Sequence, residues 1–480
     1  MDVMALGAPQ SKEAELSEQP GPQIQSSSRT KLAWVFWTLL FVYGLTWAGH
    51  YTSGDGAQKV QWARQILAGG PYLTDVVTGH PPKYGVGHTI LALPPLLLSK
   101  ILLAARGLHS EAALYTFLFV VNGAFLLYLI ARYLSLQYSP RQTWAAVLIV
   151  GLATSWWPYT KLDFTEVFVL TFFFAGFLLL KSEYNILGFS CAGFAILLRT
   201  DSIVLFALLL IWQIRRQRPK RAVLEALAGV LPIAIVYVTV NLLRYGSILD
   251  HGYPGESFSN PLLIGLYGIL FSSGKSVFLF SPALLLGFLG WKKFRRILPL
   301  DADLFLEVFL CELLIYSKWW DWSGDDSWGV RYMIPGVILM TIPCVEMLER
   351  RVLTASVVLI GLCIQIPAVL VSGLEYVVAV HDFTLKRKAM YVEGWNRIDV
   401  DDVRFNPRYS QIVGNYELLR LKVGKARISG FSETEEQTGT PLEQSLREKK
   451  IPQTGTCSLD LIWCGIHRQK GSNQQSVPGN

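Results

Sequence analysis

Asp55 stands between two glycines in "TSGDGAQKVQWARQIL", just past the first apolar run of the chain. A carboxylate there can serve as a general base or a metal ligand. It can equally cap the amphipathic helix that the three- and four-residue apolar spacing of "AQKVQWARQIL" predicts. "PYTKLDFTEVFVL" sets Asp163 and Glu166 three residues apart at a helix start, where carboxylates also offset the helix dipole. Arg199 and Asp201 in "LLRTDS" interrupt an apolar run, a place where charges persist only when paired or lining a polar cavity. "NLLRYGSILDHGY" and "LFSSGKSVFLFSP", the latter carrying Lys275, have the glycines and basic residues that let a loop approach a phosphate.

A denser stretch is "YSKWWDWSGDDSWGVRYMIPG" over 316–336. Trp319, Trp320, Trp322 and Trp328 suit a membrane–water interface. Arg331 precedes an apolar segment, which puts it near headgroup depth. It fits either bidentate phosphate binding or plain anchoring to lipid headgroups. Asp321, Asp325 and Asp326 lie close enough in sequence to pair with it.

The elements that must position these residues are membrane helices. Of 480 residues, 51% are hydrophobic and 16% charged, against roughly a quarter charged in a soluble domain. The basic residues fall in short runs between apolar segments, so the net charge of +7 needs no nucleic acid to explain it. The six cysteines are scattered without zinc-ligand spacing; Cys457 and Cys464 are near enough to form a small disulfide if the tail is extracytoplasmic.

Apolar segments fall near 32–49, 86–105, 112–131, 143–158, 167–180, 186–198, 202–214, 222–243, 277–291, 303–317, 330–348 and 352–371. Basic clusters at Arg132 and Arg141, Arg215 to Arg221, Lys292 to Arg296, and Arg350 with Arg351 belong on the cytoplasmic side. Agreement among them requires two short helices over 186–214 that meet at "LLRTDS". The prolines and glycines of 86–105 suit a bent helix lying in the interface. The expectation is an all-α polytopic membrane protein of about eleven crossings, with interfacial helices in the first and a later outer loop. Residues 1–31 read as a cytoplasmic N-terminus without fixed structure, 32–372 as the membrane-embedded body, and 373–480 as an extracytoplasmic tail without structure after about 430. On this count Asp55, His80, Lys83, Asp163, Glu166, Arg199, Asp201, Lys275 and the tryptophan-rich stretch all share the outer face.

Together these residues resemble the C-fold glycosyltransferases, among them protein O-mannosyltransferases and aminoarabinose transferases of lipid A. The resemblance covers roughly 32–372. It is carried by the first-loop acid Asp55, by "HPPKYG" with Lys83 leading into a membrane-surface helix, by Asp163 opening the second outer loop, and by "SGDDSWGVRYMIP" and "LFSSGKSVFLFSP". Many relatives place a second acid after the first; here Gly56 follows. The resemblance implies an inverting, hexosyltransferase-like transfer of a sugar from a polyprenyl-phosphate donor to an acceptor hydroxyl, outside a bacterial inner membrane. Asp55 would be the base, with Asp163 and Glu166 orienting the acceptor or supporting Asp55. Lys83, Arg199, Arg331 and Lys275 would hold the donor phosphate, and His80, Tyr84, Trp328 and Asp325 would contact substrate. A divalent metal ion, on Asp55 if anywhere, stays open, as does the acceptor: glycan, lipid or protein. The rival is a non-enzymatic transporter or lipid-handling protein of envelope assembly, which would place polar groups near the membrane midplane.

Overall fold

The computed structural model describes residues 26–69, 83–108, 110–248, 250, 252, 255–324, 327–373, 376, 404–407, 410–423 and 459–461. Every regular element among them is helical. In chain order these are α1 (Ser26–Leu45), α2 (Gly54–Leu67), α3 (Val86–Arg106), α4 (Glu111–Leu134), α5 (Pro140–Leu152), α6 (Trp156–Lys161), α7 (Glu166–Lys181), α8 (Asn185–Leu198) and α9 (Ile203–Arg216). Then come α10 (Pro219–Tyr245), α11 (Leu262–Phe271), α12 (Val277–Phe280), α13 (Leu284–Ile297), α14 (Pro299–Lys318), α15 (Ile334–Thr341), α16 (Arg351–Leu370) and α17 (Gln411–Val423).

Four of these, α3, α4, α10 and α16, are long and apolar enough to cross a bilayer. α10 exposes Leu224, Leu227, Leu231, Ile235 and Leu243, and α1 exposes Trp34, Trp37 and Phe41. Apolar residues turned outward over such lengths require lipid around them, so the chain is an integral membrane protein.

The break at "LLRTDS" is present: α8 ends at Leu198, a short 3-10 turn spans Thr200–Ser202, and α9 follows. Four other segments differ from their expected form. The 143–158 segment divides into α5 and α6. α1 begins at Ser26, six residues before the apolar run, in a serine-rich stretch of the kind that favours a helix start. The 277–291 segment divides at Ser281–Pro282 into α12 and α13, since a proline there cannot continue the helix. The 330–348 segment is not one lipid-facing span. It runs as 3-10 turn, α15 and 3-10 turn, with Pro335 and Pro343 at the junctions, and residues 332–347 are buried throughout. α3 continues through Pro94 and Pro95 as one 21-residue helix whose buried face carries His88, Thr89 and Ser99.

The charged residues separate to the two ends of the bundle. At one end Asp301, at the start of α14, accepts hydrogen bonds from Tyr133 (2.9 Å), Lys181 (2.5 Å) and Trp212 (3.1 Å), which close α4, α7 and α9. Nearby pairs join α9 to α14 through Arg215–Glu307, α13 to α14 through Arg295–Asp303, and α13 to the turn after α15 through Lys293–Glu346. α7 and α14 then run to the opposite end, where they present Glu166 and Tyr316 beside Arg199 and Asp201. Between the ends lies an apolar core with Phe174, Phe177, Trp212 and Phe305 buried together. The basic clusters and the candidate chemistry are thus at opposite poles.

Candidate active site

The start of α2 fixes Asp55. Ser53 is the N-cap, its hydroxyl accepting from the Gly56 amide at 3.1 Å, so the capping role open to Asp55 falls to its neighbour. Asp55 projects instead into a cluster of long-range partners. Tyr84 Oη donates to its Oδ1 at 2.6 Å, and Arg331 Nη1 donates to its Oδ2 at 2.9 Å. One turn along α2, Lys59 is 3% exposed and donates to the Asp163 carbonyl at 2.9 Å. Burial alone would raise the Asp55 carboxyl, but the charges of Lys59 and Arg331 and both hydrogen bonds outweigh it. They hold the group well below the usual carboxylate range. Burial in turn pulls Lys59 below the usual lysine range, against the attraction of Asp55, Asp163 and Glu166.

Asp163 lies behind this group, fully buried. It accepts from the Thr52 amide (3.2 Å) and from the hydroxyls of Thr52 (3.1 Å) and Ser53 (2.5 Å). Burial pushes its carboxyl up, with Lys59 and these donors opposing. It therefore positions the start of α2 and borders neither cavity described below. Gly56 packs directly on its carboxylate, where a Cβ would overlap it. Gly56→Ala should therefore lower the thermal midpoint in detergent, by a cost on the order of 1–3 kcal/mol for overpacking. An unchanged midpoint would mean that the α2 start can slide away from Asp163.

Glu166 begins α7 and pairs with Arg199, lying 4.0 Å from Arg331 Nε. Arg199 also forks onto Asp201 through Nε (3.1 Å) and Nη2 (2.6 Å), and Tyr316 donates to Asp201 at 2.8 Å. The internal Arg199–Asp201 pair is thus formed, and Arg199 is engaged by two carboxylates. Gly85 seats the "KYG" turn against the Leu197 and Leu198 carbonyls, with no room for a Cβ. This brings Tyr84 and Lys83 to the α8–α9 break. Lys83 Nζ lies 5.5 Å from the Tyr84 ring centre.

Two cavities meet at Asp55 and Arg331, the residues that line both. The larger, about 620 Å³, carries Lys83, Arg199, Arg244 and Arg331 on a wall of Ile196, Leu197, Leu198, Ile203 and Val240 from α8, α9 and α10. The smaller, about 260 Å³, lies toward α6, α16 and α17.

Several expected site residues sit elsewhere. Lys275 is buried and donates to the carbonyls of Ser327 (2.7 Å) and Gly329 (3.1 Å). It holds the loop before Arg331 and borders neither cavity. The tryptophans do not form one belt. Trp320 is 48% exposed, but Trp322 packs on Gly268 and Phe405. Trp328 is buried against Phe280, its indole N–H on Gln365 at 3.0 Å, and borders the smaller cavity. Asp321 pairs with Arg404 at 2.8 Å. His80, Asp325, Asp326, Cys457 and Cys464 lie outside the described residues.

Other members of the site were not singled out from sequence. Lys59 had a signal, its i, i+4 placement on the face of Asp55. Arg244 closes α10 inside "NLLRYG", part of a stretch already read as able to approach a phosphate; it donates to the Tyr84 carbonyl at 3.1 Å and stacks on Trp62 at 3.7 Å. Tyr316 and Tyr332, stacked 4.8 Å apart beside Arg199, had none. Within the tail Asp460 pairs with Lys161 at 2.8 Å and with His50 at 2.7 Å, so that a piece of the stretch expected to lack structure docks on the body.

Among the described residues the donor set around Asp55 does not fit a divalent ion. Among the described residues no three His, Cys, Asp or Glu side chains gather as ligands. Both Asp55 oxygens accept from Tyr84 and Arg331, and Gly56 leaves no space for a second acid beside Asp163.

No family model matches the chain, and no curated protein matches it in sequence. Two solved structures are similar to it. One is ArnT from Cupriavidus metallidurans bound to undecaprenyl phosphate, with a TM-score of 0.46 and 15% identity over 88% of this chain and 74% of that chain. The other is the same protein in the apo state, with a TM-score of 0.46 and 13% identity over the same shares. At that score the likeness is partial.

Proposed function

We propose that this chain is a membrane glycosyltransferase that moves a sugar from a polyprenyl-phosphate donor to an acceptor hydroxyl, on the extracytoplasmic face of a bacterial inner membrane. The observation that carries the reading is the larger cavity, whose lining joins an apolar wall at the α8–α9 break to the basic side chains Lys83, Arg244 and Arg331 and the Asp55 carboxylate. An apolar chain with an anionic head matches that layout, and Asp55 is placed for the next step. A transporter would be expected to gather polar groups near the midplane; here the charged residues lie toward the two poles of the bundle.

In this reaction Asp55 takes the proton of the acceptor hydroxyl as its oxygen attacks the anomeric carbon. The bond from that carbon to the phosphate oxygen breaks, and configuration inverts in the single displacement. The lipid phosphate leaves with its negative charge met by Lys83, Arg244 and Arg331, the cations that line the cavity with Arg199. Tyr84 and Lys59 orient and hold Asp55, while Glu166 and Asp201 keep Arg199 in the wall. About eleven crossings, with α3 in the interface, remain part of this proposal.

Two measurements test it. Native mass spectrometry of the gently isolated protein should show a polyprenyl-phosphate adduct, and the combined Lys83→Ala and Arg244→Ala variant should lose it. A wild-type spectrum free of such lipid after incubation with undecaprenyl phosphate would sink the donor assignment. For sidedness, an impermeant thiol reagent should reach Ser257→Cys in spheroplasts with the inner membrane intact, and Arg218→Cys or Arg295→Cys only after permeabilisation. The reverse pattern would turn the site to the cytoplasm.

A further inference from the structure

We propose that the smaller cavity seats one uncharged pyranose, the terminal ring of the acceptor; this rests on the glycosyltransferase reading above. The cavity lies across Asp55 and Arg331 from the basic head of the larger one. An attacking hydroxyl must approach the anomeric carbon opposite the leaving phosphate, so this is the side from which an acceptor reaches Asp55.

The chemistry of the wall selects the ligand. Its two cations are each matched by a carboxylate, Arg331 by Asp55 at 2.9 Å and Lys161 by Asp460 at 2.8 Å. Arg331 serves the donor phosphate in the larger cavity, so a charged acceptor here would have to break the Lys161–Asp460 pair, and a neutral one fits. Trp328 has its indole N–H committed to Gln365. What it contributes to the lining is therefore ring surface, which suits the C–H face of a sugar. From α17 comes Asn415, 2% exposed, whose Oδ1 has no hydrogen-bond partner among the described residues. A buried acceptor in that state calls for a donor, and a sugar hydroxyl supplies one. The volume of about 260 Å³ gives room for one ring.

The full chain in nanodiscs should be titrated calorimetrically with the methyl glycosides of glucose, galactose and mannose, and with methyl glucuronide and glucosamine. At least one neutral glycoside should saturate with a Kd on the order of millimolar, the charged sugars binding tenfold or more weaker. Asn415→Leu should weaken the neutral glycoside about tenfold, as for one lost hydrogen bond to a buried group. Asn415→Asp should shift preference toward glucosamine. Undecaprenyl phosphate affinity, measured on the same samples, should not move in either variant. The assignment is overturned if no neutral glycoside saturates, if charged sugars bind as well, or if both Asn415 variants bind like wild type. Competition of the glycoside with undecaprenyl phosphoglucose, but not with undecaprenyl phosphate, would give the ring to the donor and overturn the acceptor assignment. Loss of undecaprenyl phosphate binding with glycoside binding intact strikes the donor reading alone.

Discussion

Asp55→Asn is expected to lower sugar transfer by about a hundredfold or more, the scale of a lost general base, while the protein still folds and still binds undecaprenyl phosphate. Asparagine keeps the size of the side chain and one oxygen for Tyr84 or Arg331. It loses the second acceptor and the charge that faces Lys59 and Arg331. Asp163 and Glu166 remain near Lys59, so the buried ammonium is not left without an anion. The same variant has a signature in pH. The Asp55 carboxyl is held below its ordinary range in the folded chain, so its share of stability is present above about pH 4 and is lost as pH falls further. Asp460 is held down in the same way by Lys161 and His50 and contributes its own acid slope. Thermal midpoints measured from pH 6 downward should therefore fall less steeply in Asp55→Asn than in wild type, without becoming flat. Transfer within a few-fold of wild type would return Asp55 to a structural role, whatever the melting curves show.

How far this site could be read from sequence depended on whether the signal was local. "LLRTDS" announced both a helix break and an ion pair, because charges inside an apolar run are stable only when paired or set against a polar cavity. The two poles of the bundle followed from the basic clusters, since charge asymmetry between loops is a property of the chain itself. The pairing of Asp55 with Arg331 joins residues 276 positions apart and left no trace in either neighbourhood. Lys275 shows the opposite failure. A lysine beside glycines reads the same whether it meets a phosphate or, as here, the carbonyls of Ser327 and Gly329. Trp322 and Trp328 were indistinguishable from Trp320 by type, though two of the three are interior. Lys59 was hidden by the pattern itself: on an amphipathic helix of an outer loop a lysine is ordinarily taken as the wet face.

Arg331→Lys should reduce transfer by about 10- to 100-fold, the loss of a charge-assisted hydrogen bond in a buried setting, with little change in thermal midpoint. The arginine does three things that one ammonium cannot repeat. It bonds Asp55 through Nη1, lies within 4.0 Å of Glu166 through Nε, and places its guanidinium 4.8 Å from the Phe164 ring and 5.2 Å from the Tyr332 ring. Its planar fork can pass one edge from Asp55 to a phosphate oxygen while the rings hold the plane, whereas lysine supplies a single point of charge. Because Arg331 helps to hold the Asp55 carboxyl low, its turn toward an arriving phosphate would also free the base as the donor becomes bound. The two effects predict coupling. Combined Asp55→Asn and Arg331→Lys should cost clearly less than the product of the single losses, since each removes the same contact. Asp321, held by Arg404 and Ser323, lines the same cavity as Arg331. Full activity of Arg331→Lys on a polyprenyl-phosphate sugar would reduce this residue to a headgroup anchor, because either cation can serve in that capacity. Simple multiplication of the Asp55 and Arg331 losses would leave both residues in the site but break the link between donor arrival and the base.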